Sequence, residues 1–281
     1  MAENKRFFYG WLILLTCILI MGLGYAPLVS CASLFTKPVT EDLGFTRSGY
    51  ALVSTIAALM MAFMSPFIGK IMSKPYMHKA LVVCMIGNCL AYYCYSFAST
   101  LPQFYVTAAC IGFFECGSTM IPVSVLITNW FRKKRGLVMS IAMVGSSIGG
   151  TILSPIIGNL IASQGWRFTY KAVGITRLVI LVPLVLLVIR RTPADMGTKA
   201  YGADEEGETG KARKTEREWN VSLKEVKKKP MFWCFVLGCT LISATAAVIT
   251  QIPASVMDAG YATTTAASIA SLYLFIAVPG K

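Results

Sequence analysis

One carboxylate, Glu115, lies inside an apolar run long enough to cross a membrane. At helical spacing Gly112, Ser118, Thr119 and Pro122 share its face, whereas Phe113, Phe114 and Ile121 lie elsewhere. A carboxylate facing hydrocarbon is costly, so this polar stripe is expected to face the interior of a helix bundle or a water-filled path. Two roles fit: a protonatable or ligand-orienting group, with Ser118 and Thr119 beside it, or a protonated Glu hydrogen-bonded between helices. One cation, Arg177, also falls within an apolar run. Counted from Lys171 it sits only ~9 Å along a helix. It is therefore expected to snorkel to the nearer headgroups rather than hold an anion or pair with Glu115.

Other polar residues recur at helical spacing. Ser140, Ser147, Thr151 and Ser154 follow one face, with Gly145, Gly149 and Gly150 beside them and Pro155 placed to bend the helix. The glycines fit close helix packing, while Ser147 and Thr151 are candidates to border a path. Thr240, Ser243, Ala247, Thr250 and Gln251 make a similar stripe, expected to face Gly22, Gly24, Tyr25 and Pro27, with Tyr25 and Gln251 near a cavity. The nine cysteines lie in apolar runs without metal-knuckle or redox spacing and read as small buried filler. The lone His78 reads as a solvated loop residue. No nucleophilic, hydrolytic or metal constellation and no Gly-x-x-x-x-Gly-Lys-Ser/Thr loop occurs, so no enzyme, cofactor or metal is expected.

The elements that must position these residues follow from composition. With 56% hydrophobic and 14% charged residues and a mean hydropathy of +0.63, the chain reads as an all-α polytopic membrane protein. The net charge of +13 comes from short clusters between apolar runs rather than one basic face, which excludes a nucleic-acid binder. Eight spans are expected: Phe8 to Ser33, Tyr50 to Met72, Lys79 to Phe97, Pro102 to Asn129, Gly136 to Ser163, Ala172 to Ile189, Met231 to Pro253 and Thr263 to Val278. With the N-terminus in the cytoplasm, 21 of the 26 Lys and Arg fall inside, including Arg132, Lys133, Lys134 and Arg135, and only Lys37, Arg47, Arg167 and Lys171 fall outside. The expected layout is a six-helix bundle over 1–189, a cytoplasmic linker over 190–230 and a partial second bundle over 231–281. The middle of the linker is expected to be disordered, with a short surface helix at Ser222 to Lys229.

The stretch from Trp130 resembles the fifth-helix signature of the monocarboxylate porter branch of the major facilitator superfamily, including the oxalate/formate antiporter-like members. Trp130, Phe131, Lys133, Arg135, Leu137, Ala142, Gly145 and Ser146 match, and Lys134, Val138, Ser140 and Val144 depart. Tyr9-Gly10-Trp11, Leu34-Phe35 to Thr46-Arg47-Ser48, and Arg191 to Gly197 are similar to the same branch. The resemblance implies two six-helix halves around a central path, of which this chain holds the first half and two helices of the second, as a fragment or truncated product. It further implies secondary transport of a small organic anion, such as a monocarboxylate, by proton symport or anion exchange. The expected setting is a lipid bilayer, with the chain multi-pass in a cell membrane of bacterial inner-membrane type and no oligomeric state indicated. Arg132 to Arg135 and Lys74 are then expected to set topology or to belong to the cytoplasmic gate. The superfamily's loop motif between helices two and three is only partly kept, through Gly69, Lys74 and His78-Lys79, with Ser73 at its Asp position. The rival readings are a transporter of drugs or sugars, or a remnant that transports nothing and serves at most as a membrane-bound partner.

Overall fold

The computed structural model describes residues 8–198, 200–202 and 226–280. Lys5, Arg6, Lys281, the middle of the linker and residues 222–225 of the expected surface helix lie outside them. Among the described residues, six helices are long and apolar enough to cross a bilayer. The first four are α1 (Gly10–Leu43), α2 (Arg47–Met72), α3 (Met77–Phe97) and α4 (Leu101–Trp130). The fifth, Arg135–Val188, has 54 residues and would reach ~80 Å if straight, over twice the hydrocarbon thickness. It folds back at Gly165, whose φ of 81° lies in the left-handed region that suits glycine. Residues 135–164 are therefore α5 and residues 166–188 are α6. The sixth is α7 (Pro230–Asp258), followed by the shorter α8 (Thr263–Ile276).

Local chemistry sets these limits. Thr46 caps α2 by accepting from the Gly49 N–H at 3.2 Å, and Thr100 with Gln103 forms a capping box ahead of α4. Two helices break just before a proline. In α1 the turn Ile20–Tyr25 is a π-helix preceding Pro27, which has no N–H to give the carbonyl four residues back. In α4 the backbone leaves helical geometry at Thr119 (φ −124°, ψ −97°), three residues before Pro122.

Two departures from the expected spans matter. The first helix runs on to Leu43, and α6 begins at residue 166 rather than Ala172. Arg167 and Lys171 are thus part of α6: Arg167 pairs with Asp42 at 2.8 Å, and Lys171 sits 5.1 Å from the Phe97 ring centroid. The core divides into a cluster around Met72, Met85, Leu126, Trp130 and Val185 toward the cationic end, and an aromatic cluster around Phe35, Tyr92, Phe104, Trp166 and Tyr170 toward the other. Exposed Leu59, Phe63, Val106, Val179 and Leu187 give the bundle an apolar outer surface suited to lipid.

Among the described residues, α7 does not pack along the midsection of α1 as expected. Along Pro230–Thr250 Phe235, Leu237, Leu241 and Val248 are exposed. Only the terminal segment Ile252–Asp258 seats on the bundle, against Ser33–Leu43 of α1, burying Pro253, Ala254 and Met257. The α8 helix packs on α5: a Cβ on Gly158 would lie 2.4 Å from the Ala267 Cβ. Two further expectations are corrected. His78 is half-buried in the first turn of α3, with Nε2 3.1 Å from the Val185 carbonyl, because that turn packs on α6. Of the cysteines, Cys17, Cys31, Cys84, Cys89 and Cys116 are buried, whereas Cys94, Cys110, Cys234 and Cys239 are on outward faces.

Candidate functional site: a buried polar chain

Glu115 is 4% exposed and lies ~21 Å along α4 from Leu101, well inside the bundle. Its Oε2 accepts from Asn88 Nδ2 at 2.8 Å and its Oε1 accepts from Thr119 Oγ1 at 3.0 Å. Ser118 and Thr119 are also buried, and both hydroxyls reach the Glu115 carbonyl, at 3.3 and 3.0 Å. The polar stripe read along α4 is therefore continuous and turned inward. Asn88 stands ~17 Å into α3. Its Oδ1 accepts from Arg177 Nη2, which also donates to the Gly24 carbonyl in the π-turn at 2.9 Å.

Arg177 does not snorkel. It is 2% exposed, with its guanidinium carbon 5.1 Å from the Tyr92 ring centroid. The reason is the earlier start of α6, which places Arg177 ~17 Å from the helix end rather than ~9 Å. Its Nε and Nη1 and the Tyr92 hydroxyl have no hydrogen-bond partner among the described residues. Together these contacts form one chain across four helices: the α1 carbonyl, the α6 guanidinium, the α3 amide and the α4 carboxylate.

The two proline-made breaks meet beside this chain, a Cβ on Gly24 lying 3.4 Å from Thr119 Cγ2. Tyr25 follows in the π-turn, half-buried. From the other side α5 presses its glycines on the same turn. A Cβ on Gly149 would lie 2.3 Å from the Gly22 carbonyl oxygen, and one on Gly145 2.4 Å from that of Ile18. The small-residue face of α5 is thus a backbone-to-backbone contact, while a Cβ on Gly150 would meet Leu274 of α8 at 2.7 Å. Ser147 is fully buried with no hydrogen-bond partner for its hydroxyl. Thr151 bonds back to the Ser147 carbonyl at 2.8 Å, and its own carbonyl accepts from Ser271 at 2.7 Å. The helix runs through Pro155 without a break. Gln251 does not join this site; it is exposed at the break in α7.

At the cationic end, Trp130 and Phe131 are fully buried while Arg132 to Arg135 are exposed. Trp130 Nε1 donates to the Arg190 carbonyl at 2.9 Å, and Arg132 and Lys133 amides donate to the Tyr201 carbonyl at 3.1 and 3.2 Å. Arg135 Nε donates to the Phe131 carbonyl at 2.9 Å. Lys74 is exposed in the α2–α3 loop, where Arg191 donates to the Ser73 carbonyl at 2.9 Å. These contacts tie the α4–α5 loop, the α2–α3 loop and the segment after α6 together at one end.

A bundle of this architecture, polar at mid-depth and apolar outside, is that of a polytopic membrane protein. The chain belongs to the Major Facilitator Superfamily, whose family pattern matches residues 14–281. It is 24% identical over 229 residues to monocarboxylate transporter 2 of Homo sapiens, a match covering 80% of this chain and 45% of that protein. To monocarboxylate transporter 4 of Gallus gallus it is 26% identical over 170 residues, covering 59% and 35%. To the MFS-type transporter pynF of Aspergillus niger it is 27% identical over 192 residues, covering 66% and 43%. Each match spans less than half of the relative's length. Among solved structures, a bacterial homolog of the human lysosomal transporter Spinster, inward-facing and unoccupied, superposes with a TM-score of 0.77 at 17% identity, over 99% of this chain and 62% of that one. That likeness carries the major facilitator-type fold: a six-helix first bundle followed by two helices of the second.

Asn88 was missed by sequence reasoning. Its signal is depth: a lone amide in the middle of an apolar run, at the level where Glu115 and Arg177 also stand.

Proposed function

We propose that this chain belongs to a secondary active transporter that moves a small organic anion, a monocarboxylate in the first instance, by proton symport or anion exchange with alternating access. The observation that carries the reading is the Glu115–Asn88–Arg177 chain, an ionisable set buried at mid-membrane depth beside breaks in α1 and α4. Ionisable groups at that depth are expensive and belong to ion or substrate pathways by default. The substrate class is supported by the names of the matching relatives and by the cations that dominate this chain's charge.

Residues 1–189 are the first bundle in this reading, 190–230 a cytoplasmic linker and 231–281 the start of the second bundle. The cationic end faces the cytoplasm, as the distribution of Lys and Arg supports, with Arg132 to Arg135 and Lys74 at the gate. Glu115 carries the proton, and Tyr25, Ser118, Thr119, Ser147 and Thr151 border the path. The test is uptake of radiolabelled monocarboxylates into proteoliposomes under an imposed inward proton gradient. Accumulation that collapses with the gradient and is lost in Glu115→Gln is expected. Uptake of a labelled sugar or cationic drug in place of any monocarboxylate would overturn the substrate class, and pH-independent uptake retained in Glu115→Gln would overturn proton coupling.

A further inference from the structure

Glu115 and Arg177 are joined through a third side chain. The Asn88 amide has a fixed sense: its Nδ2 donates to the carboxylate and its Oδ1 accepts from the guanidinium. At its two ends the chain touches the two proline-made breaks, through Arg177 to the Gly24 carbonyl in the π-turn of α1 and through Glu115 to the Thr119 hydroxyl at the break in α4. We infer that Asn88 is a positioning residue that transmits the charge state of Glu115 to the π-turn of α1, so that proton uptake in α4 changes how firmly α1 is held. This rests on the reading of Glu115 as the proton-carrying group.

Donor and acceptor chemistry gives the reason. An ionised Glu115 accepts from Asn88, which keeps Oδ1 turned to Arg177, and the guanidinium is shared between α3 and α1. A proton on Oε2 would set a donor against the Asn88 NH₂. Turning the amide over would then set that NH₂ against Arg177, so the chain is broken either way. A proton on Oε1 has an acceptor in the Thr119 hydroxyl, whose own hydrogen turns to the Glu115 carbonyl at 3.0 Å. Even then the negative charge is gone: the Asn88 bridge stays hydrogen-bonded, but the Arg177 charge has lost its counter-charge in a low-dielectric interior. It is then held by two neutral acceptors alone, Asn88 Oδ1 and the Gly24 carbonyl. Asn88 from α3 and Thr119 from α4 hydrogen-bond the Glu115 carboxylate, and the titratable groups within electrostatic reach of it are Tyr25 from α1, Cys89 from α3, Cys116 from α4 and Arg177 from α6. Neither α2 nor α5 places a charged side chain at this depth. Arg177 is therefore the charge that responds, and Asn88 is its bridge to Glu115.

The test is hydrogen–deuterium exchange at residues 20–26 in the full chain in detergent, followed by mass spectrometry across pH 5 to 8 and corrected for the intrinsic pH dependence of exchange. In the wild-type protein, protection of this segment is expected to change by roughly an order of magnitude across that window. In Asn88→Leu, and in the smaller Asn88→Ala should the first fail to fold, neither of which can bridge or titrate, the change is expected to vanish while protection of α2 stays as in the wild type. A wild-type protein whose π-turn ignores pH overturns the transmission, whereas the proton-carrying role of Glu115 falls only if uptake in Glu115→Gln keeps the wild-type response to the proton gradient. A pH response present in the wild type and kept in both Asn88 variants overturns the role of Asn88 alone.

Discussion

Arginine and carboxylate meet in two regions of this bundle under opposite conditions. At the end away from the cationic cluster, Arg47 pairs with Asp258 and Arg167 with Asp42, with side chains between about a third and a half exposed. At mid-depth, Arg177 and Glu115 are almost wholly enclosed and reach each other through Asn88. The partners are chemically the same, and water makes the difference. An exposed pair exchanges good hydration for modest attraction, so its loss costs little. A buried pair has already given up its hydration, so removing one member strands the other without solvent. The exposed pairs can therefore open and close cheaply, whereas the buried chain commits the helices that hold it.

The sharpest way to break this contrast is Arg177→Leu, which leaves Glu115 buried without its cation. The expected loss is ~3–5 kcal/mol of stability, read as a large fall in the thermal midpoint in detergent. Pairing it with Glu115→Leu removes both charges and is expected to recover much of that loss; a double variant as weak as the single one would show that packing rather than charge dominates. Next comes Gly149→Val, which leaves the charges alone but forces a side chain against the Gly22 carbonyl. It is expected to cost ~1–3 kcal/mol by pushing α1 away from α5, measured the same way. Smallest is Arg47→Ala or Asp258→Ala, expected to shift stability by ~0–1 kcal/mol and less still in high salt. A shift as large as that of Arg177→Leu would erase the distinction between the two regions.

The sequence made parts of this site legible and hid others for definite reasons. Glu115 stood out because a carboxylate in an apolar run has few places to go, and its helical neighbours Ser118 and Thr119 turned inward with it. The α5 glycines were readable as a packing face because small residues at four-residue spacing serve close helix approach. Arg177 was misplaced because Arg167 and Lys171 read as loop cations; in the fold one pairs with Asp42 and the other lies against Phe97, so the helix begins ahead of both. Asn88 carries no charge and no motif, and its meaning lies in a depth shared with residues on two other helices. Gln251 sat on a plausible face of α7, but contact with the bundle begins only beyond it. That depends on long-range packing, which no local pattern encodes.

The single-residue turn at Gly165 bears on how the protein enters the bilayer. With α5 ending at residue 164 and α6 starting at residue 166, almost no polar chain has to be carried across the membrane between them. The two helices can therefore be inserted as one hairpin, its tip bringing little more than Gln164, Arg167 and Lys171 to the far side. Arg177, a costly passenger for a lone helix, would then enter already beside a partner helix. The groups that receive that arginine, the Gly24 carbonyl and the Asn88 amide, belong to α1 and α3, both of which precede the hairpin in the chain.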